Sequence, residues 1–101
     1  MYMAYTLEIT KHYDKWFRKL KDSLVRIKIL ARLSRVENGN FGDCKQLGTD
    51  LFELRFFFGA GFRIYYTIKD ARIVLLLVGG DKSSQQKDID KAEALLKQME
   101  E

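Results

Sequence analysis

Proline is absent from this 101-residue chain, and cysteine, histidine and tryptophan occur once each. Without proline there is no X-Pro bond to act as a slow conformational switch. One thiol, Cys44, cannot form an internal disulfide and fits a reducing, cytoplasmic compartment. One His and one Cys, far apart, do not make a transition-metal cage, and His12, on the expected first helix and away from the candidate face, is poorly placed for a Ser-His-Asp triad. Long apolar runs are missing too. Ile73 to Val78 falls well short of the roughly 20 residues that span a bilayer. The opening MYMAYTLEIT has no basic stretch followed by an apolar core, so no secretory signal is expected. The Gly-x-Gly at Gly59–Gly61 joins two strands rather than a strand and a helix, and GGDKSSQ lacks phosphate-loop spacing, so neither nucleotide-binding loop is present.

What is present suits one small domain over residues 1–101, with 47% hydrophobic and 32% charged residues. The formal net charge is +4, and it is uneven: residues 1–36 hold nine Lys/Arg against three Asp/Glu, the remainder nine against eleven. The excess favours an anionic partner, nucleic acid or an acidic protein segment, although a solvated helix face explains charge of this size equally well.

The apolar pattern predicts a strand at Ala4–Ile9, a helix from Thr10 carrying Tyr13, Trp16, Phe17 and Leu20, and a second helix after Asp22-Ser23. Leu24, Ile27, Leu30, Ala31 and Leu33 or Ser34 are expected as the second helix's buried stripe. Asn38-Gly39-Asn40 should stop it near Glu37. A short strand at Lys45–Leu47 precedes two strands joined at Gly59-Ala60-Gly61. A turn at Asp70-Ala71 leads into a covered strand, Arg72–Val78. Ser83 or Ser84 should cap a last helix, with Gln86 completing a capping box after Ser83 and Ile89, Ala92, Leu95, Leu96 and Met99 facing inward. The order implies an α+β fold: a helical hairpin on a twisted, mostly antiparallel sheet, with a C-terminal helix.

The segment ELRFFFGAGFRIYY concentrates the chemistry. Alternation sends Phe52, Leu54, Phe56, Phe58, Phe62, Ile64, Tyr66 and Ile68 to one face, and Glu53, Arg55, Phe57, Arg63, Tyr65 and Thr67 to the other, expected to be open. If Phe58 pairs with Phe62, Arg55 sits opposite Tyr65 and diagonal to Arg63, about 7–8 Å away. Two guanidinium groups beside Tyr65 and Phe57 suit a phosphate and an unpaired base. Lys82 follows the last strand and could approach the same end. Ser83, Gln85 and Gln86 lie at a helix start, where free N–H groups attract anions. The competing reading pairs Arg55 with Glu53, Asp50 or Asp81 as a merely solubilising contact.

These residues resemble a known family. GNFGDCKQLGTDLFELRFFFGAGFRIYY followed by LLLVGGDKSSQQKDIDKA is similar to the addiction module killer proteins, HigB-like members of the RelE/ParE toxin superfamily. The resemblance runs from WFRKLKD onward. It rests on Gly39-Asn40-Phe41-Gly42-Asp43, Glu53-Leu54-Arg55, Gly61-Phe62-Arg63-Ile64-Tyr65-Tyr66 and Gly79-Gly80-Asp81-Lys82, with Gln86 and Asp88-Ile89. It implies the toxin of a bacterial type II toxin–antitoxin pair, whose antitoxin is a small helix-turn-helix DNA-binding protein. RelE-like members cut mRNA on the ribosome without a metal or other cofactor: the ribose 2′-hydroxyl attacks the adjacent phosphate. ParE-like members share the fold and inhibit DNA gyrase, the alternative partner. A module that only binds its antitoxin, having lost toxicity, is a third reading.

By resemblance, Arg63 holds the scissile phosphate, Arg55 is the neighbouring-strand cation and Lys82 assists; on the mRNA-cutting reading the basic helices, through Lys15, Lys19 and Arg26, would dock on ribosomal RNA. The chain departs from the pattern at Glu53, a position basic in other members, and in its last helix, which has Gln86 and Asp88 where a Tyr or His commonly serves. Tyr65, Glu53 or Asp88 would then transfer the proton.

Overall fold

A computed structural model describes residues 4–100. Thr10 accepts a hydrogen bond from the Tyr13 amide and donates its hydroxyl to the Leu77 carbonyl (2.6 Å), so one side chain starts a helix and ties it to the sheet. The elements run β1 (Thr6–Ile9), α1 (Lys11–Lys19), α2 (Ser23–Glu37), β2 (Cys44–Gln46), β3 (Phe52–Arg55), β4 (Arg63–Lys69), β5 (Ile73–Gly80), a short 3₁₀ turn (Lys82–Ser84) and α3 (Gln85–Met99). The sheet order is β1-β5-β4-β3-β2, with β1 parallel to β5 and the other neighbours antiparallel. This is the α+β architecture that the sequence predicts.

The Asp22 carboxylate caps α2 by accepting from Leu24 and Val25, and Gly39 ends it at φ +90°, donating to the Val36 carbonyl. The inward face of α2 is the expected one only at Leu33, which is buried as predicted. Leu24, Ile27 and Leu30 are more than half exposed, whereas Val25, Ile29, Leu33 and Val36 pack inward. Apolar residues surround this helix, so helical spacing alone admits two stripes.

α1 and α2 cover one sheet face, packing Tyr13, Trp16, Phe17, Ile29, Leu33 and Val36 against Leu54, Phe56, Ile64, Tyr66, Val74 and Leu76. The opposite face, expected to be open, is covered along much of its length by α3. Ala92, Ile89, Leu95 and Leu96 close over Leu51, Tyr65, Leu75, Leu77 and Val78. Met99, expected inside, is exposed. The start of α3 also differs from expectation. Asp81 and Ser84 form the capping box of the 3₁₀ turn, Ser84 stands at the α3 N-cap without a side-chain cap, and Gln86 donates to Asp90 instead.

The β3–β4 hairpin pairs Arg55 directly with Arg63, Leu54 with Ile64 and Glu53 with Tyr65. The expected Phe58–Phe62 pairing gives way to a bond from the Phe56 amide to the Phe62 carbonyl, with a wider loop in which Gly59 and Gly61 take φ of +57° and +75°. Phe58 packs edge-on to Phe56 and tilted against Phe62, which keeps three rings on the core side. The pairing shifts by two residues, so the paired side chains keep their predicted faces, while Phe57, beyond the last pair, departs from its own.

Candidate RNA-binding and catalytic site

Direct cross-strand pairing places the Cβ atoms of Arg55 and Arg63 about 5 Å apart on one face. Two like charges that close repel, and the chain resolves this asymmetrically. Arg55 is partly exposed and grips Asp43 at two points, Nε to Oδ2 and Nη2 to Oδ1, both 3.0 Å. That bond pushes the Arg55 guanidinium pKa up. The partner is therefore Asp43 in the β2 approach, and not Glu53, Asp50 or Asp81.

Asp43 is held in turn by Arg32, a residue that the sequence reading passed over. Arg32 Nε, Nη1 and Nη2 donate to the carbonyls of Phe41 (2.9 Å), Arg55 (2.9 Å) and Asp43 (2.7 Å), tying α2 to the loop and to the end of β3. Its only sequence signal is a charge three residues after Ile29 on a helix whose inward face periodicity could not choose. Gly42 (φ +68°) leaves room for it: a Cβ there would lie 2.9 Å from Arg32 Nε.

Arg63 is the opposite case. It is 8% exposed, and its Nε and Nη1 are buried with no hydrogen-bond partner among the described residues. Unpaired buried donors cost about 1–3 kcal/mol each and mark a place that an acceptor can fill. Two carboxylates stand near without pairing with it. Glu53, diagonal to Arg63 and 1% exposed, accepts a 2.8 Å bond from Gln85 Nε2. Asp88 sits over Gly80, the cross-strand partner of Arg63: a Cβ on Gly80 would fall 1.8 Å from Asp88 Oδ2 and 2.7 Å from Ser84 Oγ. Glycine at 80 is thus what lets α3 bring a carboxylate to the end of β5. Ser84 Oγ donates to Asp88 Oδ2 at 2.5 Å. Burial pushes the Asp88 pKa up, the Asp81 charge adds to that, and the Ser84 bond opposes it.

The other expected site residues divide. Lys82 is exposed, and its stem crosses Gly61, two residues before Arg63, where a Cβ would meet Lys82 Cγ at 2.9 Å. Phe57 is 76% exposed beyond the same strand end, with the Arg55 guanidinium 6.0 Å from its ring. Gln86 is exposed on α3 and bonded to Asp90. Tyr65 is corrected: it is fully buried in the α3-side core and its phenol is raised by burial, with Glu53 adding, so it cannot touch an RNA at the surface. Glu53 is equally inaccessible. Lys15 and Lys19 are exposed, but on α1, behind the opposite face of the sheet. Arg26 is half-buried and donates Nη1 to the Leu20 carbonyl at the end of α1, a structural contact rather than a free cation.

A helical pair on one face of a mixed sheet and one helix on the other make up the fold that carries this site. The described residues superpose on a free-state mutant of the Escherichia coli toxin RelE with a TM-score of 0.74, at 24% identity over 91% of this chain and 97% of that one. They also match the intact E. coli RelBE toxin–antitoxin complex with a TM-score of 0.60, at 26% identity over 77% of this chain and 96% of the matched one. Residues 15–97 match the model of the family described as phage-derived protein Gp49-like, and the chain belongs to that family. An uncharacterised protein of Haemophilus influenzae is 41% identical over 97 residues, 96% of this chain and 98% of that protein.

Proposed function

We propose that this protein is the toxin of a type II toxin–antitoxin pair, a HigB-like member of the RelE/ParE superfamily that cuts mRNA on the ribosome. The observation that carries the reading is Arg63, a largely buried guanidinium with two unpaired donors at the start of β4, with Lys82 lying over Gly61 two residues away. The fold shared with RelE and with the toxin of the RelBE complex supports it.

Arg63 binds the scissile phosphate and stabilises the charge that builds on its oxygens. Asp88, whose raised pKa makes its carboxylate a better base than an ordinary one, takes the proton from the ribose 2′-hydroxyl. The 2′-oxygen bonds to phosphorus and the bond to the 5′-oxygen breaks. The leaving oxygen takes a proton from solvent, giving a 2′,3′-cyclic phosphate and a free 5′-hydroxyl. Arg55 holds Asp43 through Nε and Nη2, so it is the secondary cation. Lys82 adds charge at the rim. The partners are the ribosome with its mRNA and a neutralising antitoxin, a small helix-turn-helix protein with an acidic or amphipathic segment.

The test is induced expression of wild type and Arg63→Ala, with mapping of mRNA 5′ ends. Wild type should halt translation within minutes and leave 5′-hydroxyl ends between codon positions. Arg63→Ala should lose about 10²–10³ in cutting rate while staying folded, as a cooperative thermal melt would show. Arrest that survives in Arg63→Ala would show that the site is wrong. A DNA-damage response with translation intact would instead favour gyrase.

A further inference from the structure

Between α2 and the hairpin loop lies a groove of about 320 Å³, lined by Lys28, Ala31, Arg32, Arg35, Phe56, Phe57 and Phe58. Small-ligand sites begin at about this size. The helix residues follow i, i+3, i+4, i+7 spacing, which puts them on one face. The three consecutive phenylalanines supply the facing wall because strand pairing ends at Arg55 and the backbone leaves its alternation there. Lys28 Nζ stands 4.8 Å from the Phe58 ring centroid and Arg32 Cζ 4.9 Å from that of Phe56. No carboxylate lines the groove, and Lys28 and Arg35 have no ion-pair partner among the described residues. Two other clefts, of about 360 and 370 Å³, contrast with it: Asp50 and Glu100 line both, so neither suits an anion.

The geometry points to a second nucleotide site here. The groove takes an unpaired base of single-stranded RNA next to the cut, stacked on Phe57, with its flanking phosphates on Lys28 and Arg35. This rests on the RNA-cutting reading above and deepens it. Three cations with no acid select a polyanion. Aromatic faces beside those cations select one that carries rings, which an acidic peptide does not regularly provide. Continuity adds a third argument. Phe57 follows Arg55 by two residues, and Arg55 pairs with Arg63, so a strand bound at Arg63 reaches the groove by passing round the end of β3 to the α2 side. Arg32 contributes charge only, since all three guanidinium nitrogens are engaged with backbone carbonyls.

The test measures equilibrium binding of the full chain to a 2′-O-methylated single-stranded oligoribonucleotide, which cannot be cut, across a range of salt. Lys28→Ala and Arg35→Ala should each lower the slope of log affinity against log salt by about 0.7, one phosphate contact apiece. Phe57→Ala should weaken binding about tenfold with the slope unchanged. All three side chains are exposed, so folding is not at stake. Unchanged affinity and slope in all three variants would overturn the site. So would tighter binding of polyglutamate that the lysine and arginine variants abolish, since the groove would then dock an acidic protein. The two readings fail separately. Translation arrest that depends on Arg63, with no groove effect, removes only the groove; RNA binding through the groove, with replication arrested instead of translation, removes the cutting activity.

Discussion

Asp88 reaches the end of β5, over the strand partner of Arg63, because positions 80 and 84 permit it: glycine leaves the space and serine holds the carboxylate. Asp88 carries the clearest pH prediction. Its native pKa is raised, so the folded protein binds the proton more readily than the unfolded chain. Between the ordinary carboxylate value, about 4, and the raised one, stability therefore falls as pH rises, and the full penalty persists above that window. Asp88→Asn removes the penalty. Thermal melts should show the variant above wild type at pH 7 and level with it near pH 3. Its cutting rate should fall by about 10²–10⁴ if Asp88 is the base, whereas wild-type rate should drop on acidification through the raised pKa. A more stable, less active variant is the signature of a carboxylate kept for chemistry rather than for folding. At this scale the sequence showed that Arg55 and Arg63 share a face, because a period of two needs no tertiary information. It did not show that Asp43 neutralises one of them, because Asp43 lies twelve positions before Arg55 and is held in place by Arg32, from another element, and by the Arg55 amide itself.

Elements were legible where local chemistry decides them and obscure where packing does. Thr10, Asp22 and Gly39 mark helix ends through hydrogen bonds to their own neighbours, so α1 and α2 begin and end where expected. Which side of α2 turns inward depends instead on the sheet it meets, and the chain offered Leu24-Ile27-Leu30 as readily as Val25-Ile29-Leu33-Val36. The role of α3 was missed for a related reason: its stripe was visible, but the sheet face beneath it was taken for a binding surface. The β4–β5 turn gives a prediction of its own. Asp70 and Ala71 have φ of +54° and +57°, a left-handed pair that two-residue hairpins prefer to fill with Asp-Gly. A non-glycine residue pays about 1–2 kcal/mol there, and glycine's freer unfolded chain returns about 0.4–1. Ala71→Gly should therefore stabilise the protein by about 0.5–1 kcal/mol, seen as a higher urea midpoint with unchanged slope. Toxicity should not move, since the turn lies at the end of β4 remote from Arg63.

Across the whole molecule, cations occupy two sides of the sheet with different prospects. Arg63, Arg55 and Lys82 gather at one strand end, whereas Lys15 and Lys19 stand on the outer side of α1 beyond the other face. No side chain reaches through a sheet to a phosphate on its far side, so on the RNA-cutting reading proposed above the helix lysines would act on approach and orientation, not on the cut. A large polyanion such as the ribosome feels them through the field of the molecule. Each charge reversal removes two positive charges, so Lys15→Glu with Lys19→Glu takes the formal +4 to zero. Association with ribosomes should slow about tenfold at low ionic strength and converge on wild type near 1 M salt, where the Debye length shrinks to about 3 Å. The rate of cutting by toxin already bound should stay the same. If the double variant instead lost that bound-state rate while association held, α1 would be part of the reacting site. The sheet would then have to present its arginines toward the helical pair, opposite to the layer in which Arg63 and Asp88 lie.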